Sequence, residues 1–150
     1  MANTETTINA IMHPQPSETS IDIEKTIKAL ERNKFVAHYF ETGAEAVDYL
    51  QSRIQNKCVA IGDSHTLLEL KVHDALSEVN EDITDIQRPL PGESFRDTAL
   101  RTMGRDVFLT SVNALSQTGE MVNIDGTGNR VAASLFGSQE VFFVLGVNKI

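Results

Sequence analysis

The chain has 150 residues, 41% hydrophobic and 23% charged, the composition of one globular domain large enough to bury a core. A net charge of −8 and a pI near 4.9 argue against nucleic-acid or anionic-membrane binding, which rests on basic faces, but leave room for a small anion held by local N–H groups. The single cysteine, Cys58, excludes an internal disulfide framework and any all-cysteine metal or iron–sulfur site.

Residues 1–19 are polar, carry Pro14 and Pro16 and show no period, which reads as a flexible N-terminal arm with His13 as a solvated side chain. Ile23, Ile27 and Leu30 then share a helical face. The run FVAHYF (35–40) has the aromatic and β-branched content of a strand. Thr42 followed by Glu45 is a capping box, opening a helix through Val47, Leu50 and Ile54. CVAIG (58–62) is uniformly apolar, as a strand buried on both faces would be. After the loop DSHT a helical stretch runs through Leu67 and Leu70 and on to Ala75–Leu76. ITDI is a short strand candidate within 80–94, ahead of a turn-rich connection at Pro89, Pro91 and Gly92. A helix over about 94–103 leads to Gly104 as a C-terminal cap, and VFLTSV (107–112) is another strand. SQTGE (116–120) turns the chain as a hairpin through Thr118–Gly119. The helix after NIDGTG closes at Gly137, and VFFVLGV (141–147) reads as a final buried strand.

Alternating helices and apolar strands predict a single α/β domain over 20–150, with a mainly parallel sheet flanked by helices and a β-hairpin before the NIDGTGNR loop. No apolar run approaches the roughly 20 residues a membrane span needs, and no secretory leader opens the chain, so a cytoplasmic location is expected. The last strand ends almost at the terminus with little left to cover it, which leaves room for a homodimer or a longer natural chain.

In open α/β sheets ligands sit outside the carboxyl ends of the strands, and two loops have that position. In the first, Gly62 allows close backbone approach and Ser64 and Thr66 offer hydroxyls. Asp63 opposes an anion there unless it is neutralised or faces away, and Ser64 or Thr66 could instead simply cap the helix. The second is NIDGTGNR (123–130). Gly126 and Gly128 permit close approach, Asn123, Thr127 and Asn129 supply polar groups, and Arg130 is a permanent cation. Asp125 is a candidate base or orienting group; the plainer reading is that it caps the helix and pairs with Arg130. Neither a phosphate-loop lysine pattern nor a dinucleotide GxGxxG is present.

His65 is a candidate proton carrier, and Glu69, one helical turn on, could share its mouth. Asn113, just before the hairpin, joins the ligand-binding candidates. His38 and His73 read as structural, Cys58 as a core residue, and no histidine spacing suggests a metal site. Lys149, after the last strand, stands at a carboxyl end where it could neutralise an anion.

The run 107–150, and above all DG-x-GNRVAA within it, resembles the LUD-domain family, in its lactate-utilisation protein C group; IEKTIKALERNKFVAHYFETGAEAVDYL and AIGDSHTLLEL fall in the family's order upstream. The resemblance implies a fold like that of ribose-phosphate isomerases, glucosamine-phosphate deaminases and CoA transferases, with the two loops forming one pocket. In the family the first loop usually reads Gly-Gly-Ser, where this chain has Asp63 in place of the second glycine, and the family's chains generally continue past the segment that here ends at Ile150. The resemblance implies an accessory subunit in the oxidation of L-lactate or a related hydroxy acid, binding a small anionic metabolite beside iron–sulfur partner proteins and carrying no cofactor or metal of its own. Its fold relatives suggest an alternative, an enzyme acting on a phosphorylated or CoA-linked metabolite with Asp125 or Glu69 as general base. A non-catalytic interaction domain is the third reading.

Overall fold

Along the chain run α1 (Ile23–Arg32), α2 (Gly43–Arg53), β1 (Cys58–Ile61), α3 (His65–Glu69), α4 (Val72–Ser77), β2 (Asp82–Asp85), α5 (Phe95–Arg101), β3 (Val107–Thr110), β4 (Ala114–Leu115), β5 (Met121–Val122), α6 (Asn129–Leu135), β6 (Glu140–Phe143) and a closing 3-10 turn (Val147–Lys149). This is a computed structural model describing residues 20–150, so the arm read over 1–19, with His13, lies outside the described residues. Four strands pair in parallel in the order β2-β1-β3-β6, with Val59 opposite both Ile83 and Val107, and Phe108 opposite Val141. The fold is therefore α/β, a mainly parallel sheet between helices.

Side-chain alternation along the strands builds two apolar layers. Val59, Ile61, Val107 and Leu109 face Leu50 and Ile54 from the α2 side and Leu67, Val72 and Leu76 from α3 and α4. Ala60 and Phe108 face the opposite way, against Ala133 of α6. β1 and β3 are buried, as the run CVAIG predicts for a central parallel strand.

The hairpin of β4 and β5 lies before the NIDGTGNR loop, with Leu115 opposite Met121. Gly119 turns it with φ of +94° and sits against Ala29, while Asn33 Nδ2 donates to its carbonyl, so α1 docks on the hairpin. Thr42 and Glu45 form the capping box that opens α2, whereas the residue that caps the end of α5 is Thr102, and Gly104 (φ +67°) follows two residues later in a left-handed conformation.

Three elements differ from the sequence reading. FVAHYF forms no strand: the segment leaves α1 through Lys34 at φ of +72° and lies outside the sheet, with Val36 85% exposed. Its aromatics serve side-chain packing instead, the His38 and Phe40 rings stacking against each other and meeting Tyr49 of α2 at a tilt. The helix through Leu67 and Leu76 is two short helices, because Lys71 adopts a left-handed conformation (φ +53°) between them. The last strand stops at Phe143 and is only half-buried, because it is the sheet's edge and is paired on one side alone. Among the described residues no helix is long and apolar enough to cross a membrane.

Candidate functional site

From β1 the sheet grows outward to β2, and from β3 it grows the other way to β6. The chain thus changes direction between β1 and β3, and the crevice outside their carboxyl ends is the position where open α/β sheets take ligands. Three segments meet there: Gly62–Thr66 after β1, Ser111 after β3, and the turn carrying Lys149 after β6.

Lys149 joins them. Its Nζ donates to Ser111 Oγ at 2.7 Å and to Thr66 Oγ1 at 3.3 Å. Ser111 is buried, and Lys149 is itself partly withdrawn from solvent. Both of its hydrogen bonds go to hydroxyls, and among the described residues it has no carboxylate at ion-pair distance. Burial pushes the Lys149 ammonium below the usual lysine range; the nearby Arg130 charge pushes the same way, and Glu69 pulls in the opposite direction.

Arg130 approaches Ser111 from the other side, donating from Nη1 to its carbonyl at 2.9 Å. The rest of the guanidinium is held within its own loop. Nε donates to Asp125 Oδ1 at 2.8 Å, and Nη2 donates to Asn113 Oδ1 at 2.7 Å and to the Ile124 carbonyl at 3.1 Å. Asp125 also accepts from the Val131 backbone N–H at 2.8 Å, capping the start of α6, where Gly128 (φ +79°) has no side-chain cap to offer. Burial alone would raise the Asp125 carboxyl, but the Val131 N–H and the Arg130 guanidinium outweigh it and hold the group below the ordinary aspartate range. The plainer reading of this pair therefore describes its geometry. Asp125 and Arg130 are each other's partners, and together they fasten the loop to β3. An ionised carboxylate so engaged is a poor general base. Asn113 belongs to the same fastening, its Oδ1 also accepting from the Ile124 N–H.

The other expected residues divide around this centre. Gly62 donates its N–H to the Leu109 carbonyl, and a Cβ on it would meet Phe108 Cζ at 3.0 Å, so its close approach is to the neighbouring strand. Ser64 caps α3 by accepting from the Leu67 N–H. Asp63 is exposed and accepts from Gln87 Nε2 at 2.6 Å, which draws it toward β2, the side of β1 away from Ser111 and Lys149. Of the first loop, Thr66 reaches the crevice. His65 and Glu69 are exposed on α3, with Glu69 near enough to act on the Lys149 charge. Gly126, Thr127 and Gly128 are exposed on the second loop; Thr127 donates to Asn129 Oδ1, and Asn123 is half-buried beside the hairpin.

Ser111 was not singled out from the sequence, although a polar residue directly after the apolar run VFLT was the available signal. A second polar group lies across β1. His73 Nδ1 pairs with Asp85 Oδ2 at 2.9 Å, the buried Asp85 also accepts from the Gln87 N–H, and a cavity of about 220 Å³ opens beside them toward Lys71 and Arg88. His73 thereby ties α4 to β2, in line with its structural reading. Cys58 is half-buried; a hydrogen bond to Asp82 and then burial raise its thiol above the usual range, the opposite of an activated nucleophile.

None of the curated proteins or solved structures compared with the chain matches it. The family model of the LUD domain does, over residues 23–150. That match runs from the first turn of α1 through both loops to the turn that carries Lys149, and it shows that the chain belongs to the LUD-domain family.

Proposed function

We propose that the crevice between β1 and β3 binds a small carboxylate and that the protein is an accessory subunit in the oxidation of L-lactate or a related hydroxy acid. The observation that carries the binding is Lys149: a partly buried cation at the sheet's switch point, hydrogen-bonded to two hydroxyls and lacking an acidic partner among the described residues. A carboxylate seated there would supply the missing counter-charge and accept from Lys149 in a charge-assisted hydrogen bond. Asp63, turned toward Gln87, does not stand in its way. The metabolite class is taken from the resemblance of the run 107–150 to the lactate-utilisation protein C group. An accessory role beside iron–sulfur proteins accords with the single half-buried cysteine, which leaves redox chemistry to partner chains. The exposed Leu135 and Phe136 at the end of α6 offer apolar contact to such a chain.

Thermal unfolding in the presence of lactate, glycolate, phosphate, a sugar phosphate and CoA tests the reading. A ligand at 100 times its dissociation constant stabilises by about 2.7 kcal/mol. Lactate or glycolate is expected to raise the melting temperature of the natural chain and to leave Lys149→Met unmoved. A shift confined to the sugar phosphate or CoA would favour an isomerase- or transferase-like enzyme, and no shift by any anion would refute the site.

A further inference from the structure

We infer that Lys149 is also a nucleophile, forming an imine with a small aldehyde or ketone whose carbonyl lies next to a carboxylate. The inference rests on the anion-binding reading of the same crevice and adds a covalent step to it.

The geometry sets Lys149 apart from the other lysines. Lys25, Lys28, Lys34 and Lys71 are exposed, and Lys28 pairs with Glu24 as well; Lys57 is partly buried, but among the described residues its Nζ makes no hydrogen bond and only its backbone N–H is held, by Asn80 Oδ1. Lys149 is partly buried, and Ser111 brings it beside a second cation: the Ser111 hydroxyl accepts from Lys149 Nζ while its carbonyl accepts from Arg130. Arg130 cannot give up its charge, so the repulsion between the two falls on the lysine and favours its neutral form. A lysine desolvated or placed next to another cation is the usual form of an imine-forming amine. The partners of Nζ fit as well. A carboxylate would lock the ammonium in place, whereas the hydroxyls of Ser111 and Thr66 can accept from an ammonium or donate to a free amine.

The step balances without an oxidant or reductant. The Nζ lone pair attacks the carbonyl carbon, forming a C–N bond as the C=O π pair moves onto oxygen. A proton passes from nitrogen to that oxygen, for which the Ser111 and Thr66 hydroxyls lie within reach of Nζ. A second proton, taken from solvent, converts the resulting hydroxyl to water; the nitrogen lone pair expels that water as the C–O bond breaks, and the C=N of a protonated iminium forms. The protonated iminium keeps the positive charge that faces the ligand's carboxylate, so an anionic carbonyl compound loses no electrostatic attraction when the bond forms.

Glyoxylate followed by borohydride tests this on the intact chain, with peptide mapping of all lysines. The expected result is N-carboxymethyl-lysine at position 149 before any other lysine, suppressed by excess glycolate, which has no carbonyl to react. Lys149→Arg keeps the charge and removes the nucleophile; it should lose the adduct while glycolate still raises its melting temperature. Labelling spread evenly over the lysines would overturn the imine. So would glycolate stabilisation of the natural chain with no adduct at Lys149, which would leave the binding reading intact. Neither adduct nor stabilisation would refute both.

Discussion

Arg130 faces inward: Asp125, Asn113 and the carbonyls of Ser111 and Ile124 accept its donors, so what it offers the crevice is positive charge more than free N–H groups. Its ion pair with Asp125 has a pH signature. The folded-state pKa of Asp125 lies below its ordinary value. The pair's stabilisation is therefore fully present above the unfolded aspartate pKa of about 3.9, and it is lost as pH falls through the lowered folded value. Asp125→Asn should cost about 1.5–3 kcal/mol at neutral pH, because it weakens hydrogen bonds to Arg130 and the Val131 N–H in a mostly buried position. That cost should shrink in urea unfolding at a pH below the ordinary aspartate range; an equal cost at both pH values would contradict the assignment. At this scale the sequence was only half readable. The polar residues of NIDGTGNR marked a junction that matters, but spacing alone could not say whether Asp125 meets Arg130 or a ligand. That depends on how far Arg130 stands from the end of β3, a tertiary distance.

Elements fail or succeed here according to what they pack against. CVAIG and VFLT became central strands because both their faces find apolar partners, one in α2, α3 and α4 and the other in α6. FVAHYF has equal strand propensity, but its aromatics pack on α2 and it pairs with no strand, the kind of tertiary override that makes β-propensity context-dependent. The carboxyl end of β1 shows how tightly the central pair is set. A methyl group at Gly62 would lie 3.0 Å from Phe108 Cζ and 3.3 Å from Thr110 Oγ1, and both side chains are fully buried and cannot swing aside. Gly62→Ala should therefore destabilise by roughly 1–3 kcal/mol, the range for overpacking a dense core, as a lower urea midpoint with an unchanged slope. An unaltered midpoint would mean that β1 and β3 separate easily at this end, and the crevice would then lack a rigid floor.

For the molecule as a whole, the crevice is a product of strand order. Thr66 and Lys149 meet across 83 residues of sequence, and Ser111 and Lys149 across 38, because β1 and β3 are neighbours and β6 lies beyond β3. Alternating helices and strands predicted the α/β class and placed both loops at carboxyl ends. They did not give the order of the strands, and so could not show that Ser111 and Lys149 meet Thr66 at the mouth of the sheet. A net charge of −8 makes this local concentration of positive charge the more distinctive, since the proposed carboxylate would be drawn to it against the field of the remaining surface. The most direct test follows the Lys149 ε-methylene by NMR as glycolate is added to the intact chain. A saturable shift of that signal is expected while the signals of the exposed lysines stay in place. Lysine signals that all drift together, or a Lys149 signal that does not move, would contradict anion binding at Lys149.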